Sequence, residues 1–132
     1  MAITKKTKVG IRSAIPAILI GMSIFLLFLS EYQTVEIIYF TNPQCAITNK
    51  TDDLIDELKE DFQNKISVRK INVNMYPGDQ PDTEEIIQLR EKYKVYGVPD
   101  IVINGEKFMG KFTNENIKEK ICDNFIIKPE AC

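Results

Sequence analysis

Phe40-Thr41-Asn42-Pro43-Gln44-Cys45-Ala46-Ile47-Thr48 is the stretch on which the chain turns. An apolar run ends at Phe40, Pro43 redirects the backbone, and Cys45 stands where a helix opens. The run before it, Val35-Glu36-Ile37-Ile38-Tyr39-Phe40, is β-branched and aromatic and apolar on both faces, as a strand covered by helices requires. After it, Leu54, Ile55, Leu58 and Phe62 recur at near-helical spacing with Asp52, Asp53, Glu57 and Lys59 turned outward, which predicts an amphipathic helix. Residues 66–73 read as a second strand. A strand, a helix and a strand of this size make a parallel crossover.

Working outward toward the C-terminus, Pro77, Gly78 and Pro81 mark residues 75–81 as a loop. Asp82, with Glu85 three residues on, opens the next helix as a capping-box-like pair, and Ile86, Leu89 and Tyr93 form its buried stripe. Asn104-Gly105, between strands expected at 100–103 and 107–112, is a hairpin signal for a type I′ turn. A last helix starts near Thr113 or Asn114 and buries Ile117, Ile121 and Phe125. The order β-α-β-α-β-β-α makes this an α/β chain.

Toward the N-terminus, residues 1–12 carry Lys5, Lys6, Lys8 and Arg12 and no acid, and residues 13–30 are an uncharged run rich in Ile, Leu and Phe. Counted from Ile11, the stretch is about 30 Å long as a helix, the thickness of a bilayer core. It reads as a transmembrane signal-anchor, single-pass in the cell membrane, with the basic end cytoplasmic and the remainder extracytoplasmic. A cleaved signal peptide is the rival reading, but a cut after Ser30 would put Phe28 where a small residue belongs. Residues 31–34 then form a short linker, 35–126 the folded domain and 127–132 a tail.

Charge and residue types exclude several functions. The chain has 17 basic and 19 acidic residues, net −2, and beyond residue 30 thirteen basic residues face the nineteen acids. That balance argues against a nucleic-acid surface. With no histidine, nucleophile activation and metal ligation by imidazole are excluded. The three cysteines, Cys45, Cys122 and Cys132, lack the Cys-x-x-Cys pairs of a zinc site, so no metal is expected. One disulfide and one free thiol is their natural arithmetic in an oxidising compartment.

Three stretches together resemble the thioredoxin superfamily. The opening stretch is similar to its strand, turn and Cys-x-x-Cys segment, with Cys45 in the place of the first cysteine. Tyr93-Lys94-Val95-Tyr96-Gly97-Val98-Pro99 resembles the approach to the family's cis-proline, and Asn104-Gly105-Glu106 followed by Gly110 resembles its hairpin and the glycine after it. The resemblance implies a thioredoxin-like fold, a central four-stranded mixed sheet with flanking helices, following the N-terminal membrane helix. It also implies thiol-disulfide exchange with protein thiols or disulfides, or with a membrane redox partner. No resident cofactor is implied; glutathione or another small thiol is a candidate co-substrate.

Two departures concern the same half of the dithiol cycle. Thr48 stands where the resolving cysteine belongs, and Tyr39 stands where thioredoxins carry a buried acid on the first strand. The retained thiol is similar to that of monothiol glutaredoxins, although Gly110-Lys111-Phe112-Thr113 does not match their paired glycines and following acid.

The residues carry the following chemistry. At a helix N-terminus, Cys45 is expected as a reactive thiolate, against the bland reading of an inert buried cysteine. Thr48 is expected to offer its hydroxyl to the Cys45 sulfur, or else to bond its own backbone. Pro99, if cis, and Val98 before it would shape an extended edge for a substrate peptide; a trans turn proline is the alternative. Cys122 and Cys132 either staple the tail by a disulfide or supply a thiol that resolves Cys45. Asn49-Lys50-Thr51 matches a glycosylation sequon but falls inside a predicted helix, where chance occurrence is the simpler reading. Two functions follow: a monothiol thiol-disulfide oxidoreductase tethered to the membrane, or a redox-inactive adaptor or chaperone module on the same fold.

Overall fold

Strand β1 (Val35–Thr41) buries every residue but Glu36, because neighbours cover it on both edges and both faces. The coordinates are a computed structural model that describes residues 19–25 and 33–132. They fall into two compact units, residues 1–32 and Gln33–Cys132. Of the first, residues 19–25 are helical; the rest of the expected span 13–30 and the basic residues 1–12 lie outside the described residues. Among the described residues, no helix is long and apolar enough to cross a membrane.

In the second unit, α1 (Ala46–Phe62) leads from β1 to β2 (Ile66–Asn72), which pairs with β1 in parallel from Val35↔Ile66 to Thr41↔Asn72. Next come α2 (Glu84–Tyr93), β3 (Asp100–Ile103), β4 (Glu106–Lys107) and α3 (Asn114–Cys122). β3 runs antiparallel to the other edge of β1, with Phe40 opposite Asp100, and β4 pairs antiparallel with β3. The four-stranded mixed sheet has the order β2-β1-β3-β4. This is the four-stranded mixed sheet with flanking helices that the resemblance implied.

The period of two along β1 sorts its side chains into two cores. Val35, Ile37 and Tyr39 join Ile55, Leu58 and Phe62 of α1 and Ile117 and Ile121 of α3, with Phe62 and Phe125 stacked at 6.2 Å. Ile38 and Phe40 join Ile71, Val73, Val95 and Val102 under α2. The second cover is thinner: Ile86, Leu89 and Tyr93 are only partly buried, and α2 has no fully buried residue.

Two local expectations are corrected. Helix α2 is capped by Thr83, whose hydroxyl accepts from the Ile86 amide, rather than by Asp82. Asp82 is engaged elsewhere, accepting from the Asn74 amide at 2.8 Å and pairing with Arg90 at 2.8 Å, so it ties the loop to the helix. The second hairpin strand ends at Lys107 instead of continuing to 112. Phe108 folds back so closely that a Cβ on Gly110 would lie 2.6 Å from its ring, and the chain leaves the sheet there. The turn itself has the expected form, with Asn104 and Gly105 at φ 51° and 84°.

Candidate active site around Cys45

Cys45 is the N-cap residue of α1, with extended backbone at φ −87° and ψ 115°. The turn that delivers it is built by buried Asn42. The Asn42 Oδ1 accepts from the Gln44 amide at 2.8 Å, its carbonyl accepts from the Cys45 amide at 3.0 Å, and its Nδ2 donates to the Val73 carbonyl at 2.7 Å. Asn-Pro-Gln-Cys is thus an Asx-turn joined to the end of β2, a local reason for asparagine two residues before the turn closes.

The thiol is free and half-buried. Its pKa is lowered, first by the Ile47 backbone amide, whereas partial desolvation opposes the shift; the Tyr76 hydroxyl and the Thr48 amide lower it further. These donors stabilise negative charge on sulfur at the helix N-terminus. The Val98 carbonyl lies 3.9 Å from Sγ and can accept from it only in the protonated form. The Val98–Pro99 peptide bond is cis. Val98 and Pro99 therefore stand beside the sulfur.

Of its two expected contacts, Thr48 makes the one to its own backbone. Its hydroxyl is directed at the carbonyls of Cys45 (2.6 Å) and Asn42 (2.8 Å), not at the sulfur. A threonine in the first helical turn can bond the carbonyl three residues back, and burial of Thr48 leaves its hydroxyl no solvent alternative. Its contribution is to brace the turn, and its amide, not its hydroxyl, acts on the Cys45 sulfur. Below it, buried Tyr39 donates to the Thr48 carbonyl at 3.3 Å. Burial raises the Tyr39 phenol well above its ordinary value, so it stays protonated. On the outer turn of α1, Asp52 pairs with Lys70 at 2.8 Å.

Two functional neighbours escaped sequence reasoning. Tyr76 and Asp79 lie in the loop after β2, in the turn Tyr76-Pro77-Gly78-Asp79, closed by the Asp79 amide on the Tyr76 carbonyl at 3.1 Å with Gly78 at φ 96°. Proline followed by glycine is the signature of a type II turn, which would have placed Tyr76 and Asp79 side by side. Nothing local says that the turn faces Cys45. Asp79 titrates below its ordinary range because the Tyr76 amide donates to it, aided by the Met75 amide, Asn42 and Gln44.

Cys122 and Cys132 are joined in a disulfide, 5.7 Å between Cα atoms. They lie toward the other end of the sheet. Just past α3, the Asn124 carbonyl accepts from Gln33 and the Ile126 amide donates to Gln33, both at 2.9 Å, at the entry to β1. Cys45 follows the exit of β1 after seven strand residues. Among the described residues, no group of three or more His, Cys, Asp or Glu could hold a metal ion.

No family model matches the chain. A protein of Methanothermobacter thermautotrophicus described as "Probable Thioredoxin" is 34% identical over 90 residues, which span 67% of this chain and 94% of that protein. A protein of the same description from Methanothermobacter marburgensis matches with the same identity and coverage. Among solved structures, the exposed lipoprotein thioredoxin of Streptococcus pneumoniae superposes with a TM-score of 0.53 at 16% identity, over 72% of this chain and 89% of that one. That last likeness is one of fold.

Proposed function

This chain belongs to the thioredoxin-like superfamily, and from that premise we propose that it performs thiol-disulfide exchange through Cys45 alone, on protein thiols and disulfides outside the cell membrane. The observation that carries the reading is a free, half-exposed thiol with a lowered pKa at a helix N-terminus, while the other two cysteines are closed in a disulfide.

The Cys45 thiolate attacks a substrate disulfide; a Cys45–substrate S–S bond forms, the substrate's own S–S bond breaks, and the departing thiolate takes a proton from solvent. Val98 and Pro99 offer an extended backbone beside the sulfur on which the substrate peptide can pair. Thr48 holds no sulfur. The mixed disulfide therefore persists until an outside thiolate, from glutathione, another small thiol or a partner protein, bonds the substrate sulfur and releases Cys45. No resident cofactor is needed, because sulfur is both nucleophile and leaving group.

Insulin reduction with glutathione supplied tests the exchange reading. A rate well above that of Cys45→Ser is expected, and equality of the two would overturn it. That second outcome would favour the adaptor or chaperone reading, which draws its support from Thr48 and the protonated Tyr39: neither group can complete a dithiol cycle. The tether is residues 13–30, read as a single-pass anchor with the N-terminus cytoplasmic. Retention of the full chain in membranes after alkaline carbonate extraction is expected, and release into the supernatant would sink the tether.

A further inference from the structure

Besides the Asn42–Val73 bond, one carboxylate ties the loop after β2 to the turn that carries the thiol. Asp79 accepts from the amides of Met75 (3.0 Å) and Tyr76 (2.9 Å) in its own loop, and from Asn42 Nδ2 (3.3 Å) and Gln44 Nε2 (3.0 Å) in the turn before Cys45. It thus fixes the Tyr76 backbone relative to Cys45 from both sides. The Tyr76 hydroxyl faces the Cys45 thiol closely enough to lower its pKa, and the residue is 40% exposed. A phenol held in this way needs no side chain from α1 to bring a donor to the sulfur.

We propose that Tyr76 is a catalytic residue that donates a hydrogen bond to the Cys45 sulfur whenever it carries negative charge, and that Asp79 is the positioning residue that keeps it there. The proposal rests on the reading of Cys45 as the exchanging thiol. When Cys45 attacks, its sulfur loses charge, so this bond favours the starting thiolate. When an outside thiolate releases Cys45, the sulfur regains charge as the leaving group, and the bond then favours the transition state. With glutathione the release is Cys45–S–S–G plus GS⁻ giving Cys45–S⁻ plus G–S–S–G; Tyr76 keeps its proton throughout. Because Thr48 cannot resolve the mixed disulfide, release from outside is the step the chain must assist. The titratable groups around the sulfur are Tyr76 and Asp79 from the loop and Tyr39 from β1.

The full-length protein is loaded at Cys45 with oxidised glutathione, and both loading and release by reduced glutathione are followed by intact mass at about pH 9, above the ordinary thiol range and below the phenol range. Tyr76→Phe keeps the ring and removes the donor. Release is expected to slow roughly three- to ten-fold while loading is unchanged or slightly faster. Asp79→Ala should slow release partway, and the double variant should be no slower than Tyr76→Phe. Unchanged release, or loading and release falling together, overturns the proposal. If loading is too slow to follow, the pH profile of Cys45 alkylation decides: an upward shift in Tyr76→Phe supports the donor, and an unmoved profile removes it. Insulin turnover separates the two readings. Turnover above Cys45→Ser with neither split nor shift ends the Tyr76 proposal alone, whereas a split or shift without turnover ends the exchange reading alone.

Discussion

Cys45 and Cys122 both sit at helix termini, but at opposite ones, and their chemistry follows. Cys45 caps the N-terminus of α1, where the amides of Ile47 and Thr48 lower its pKa, and it stays free. Cys122 is the last residue of α3, 6% exposed in the larger core, and is bonded to Cys132. At a helix C-terminus the dipole and the carbonyls oppose thiolate, and apolar burial opposes it again. One residue type thus remains a free thiol at one end of the sheet and forms a staple at the other.

The largest effect expected from breaking this contrast is on turnover. Cys45→Ser should abolish insulin reduction with an unchanged melting temperature, while Cys122→Ser with Cys132→Ser should leave turnover close to that of the parent. Loss of turnover in the double variant, with the fold intact, would mean that the staple is part of the reaction.

The next effect is on stability. Removing the disulfide, which closes a loop of ten-residue separation, should cost about 2 to 3 kcal/mol in denaturant unfolding. An unchanged midpoint would show that the Gln33 bonds and Phe125 burial already hold the tail.

At the Cys45 end, Asn42→Ala removes the Asx-turn and leaves the Val73 carbonyl without its 2.7 Å donor. A loss of roughly 1 to 3 kcal/mol is expected, together with slower alkylation of Cys45. Full reactivity in that variant would separate the turn from the thiol.

The smallest effect is the pH dependence of stability. The Cys45 pKa is lowered on folding, so the folded state binds fewer protons between its own pKa and the unfolded value of about 8.5. The stabilisation is fully present above the unfolded value and is lost as pH falls through the folded one. Urea midpoints of the parent and Cys45→Ser should therefore diverge as pH rises across that window. Parallel midpoints would contradict a thiolate at the helix end.

Much of this contrast can be read from residues in order. The β1 pattern, the repeat of Ile55, Leu58 and Phe62 and the Asn104-Gly105 turn are each set by neighbours within a few positions, and the structure has them in those elements. Where local signals competed, sequence reasoning chose wrongly. Asp82 and Thr83 are both good caps, and the partner Arg90 drew Asp82 away. The 107–112 run looked like a full strand, but Phe108 closes over Gly110. For Thr48 the sulfur and its own backbone were both open, and burial decided for the carbonyls of Asn42 and Cys45.

By itself, then, the sequence determined an α/β chain with a cysteine at the first strand-to-helix turn, because hydrophobic period and turn chemistry are short-range properties of the backbone. Only the tertiary structure decided what surrounds that cysteine. Tyr76 lies 31 positions beyond Cys45 and Val98 lies 53 beyond it. They meet at the sulfur because β1 pairs with β2 on one edge and β3 on the other, so the segments around those strands converge where β1 ends.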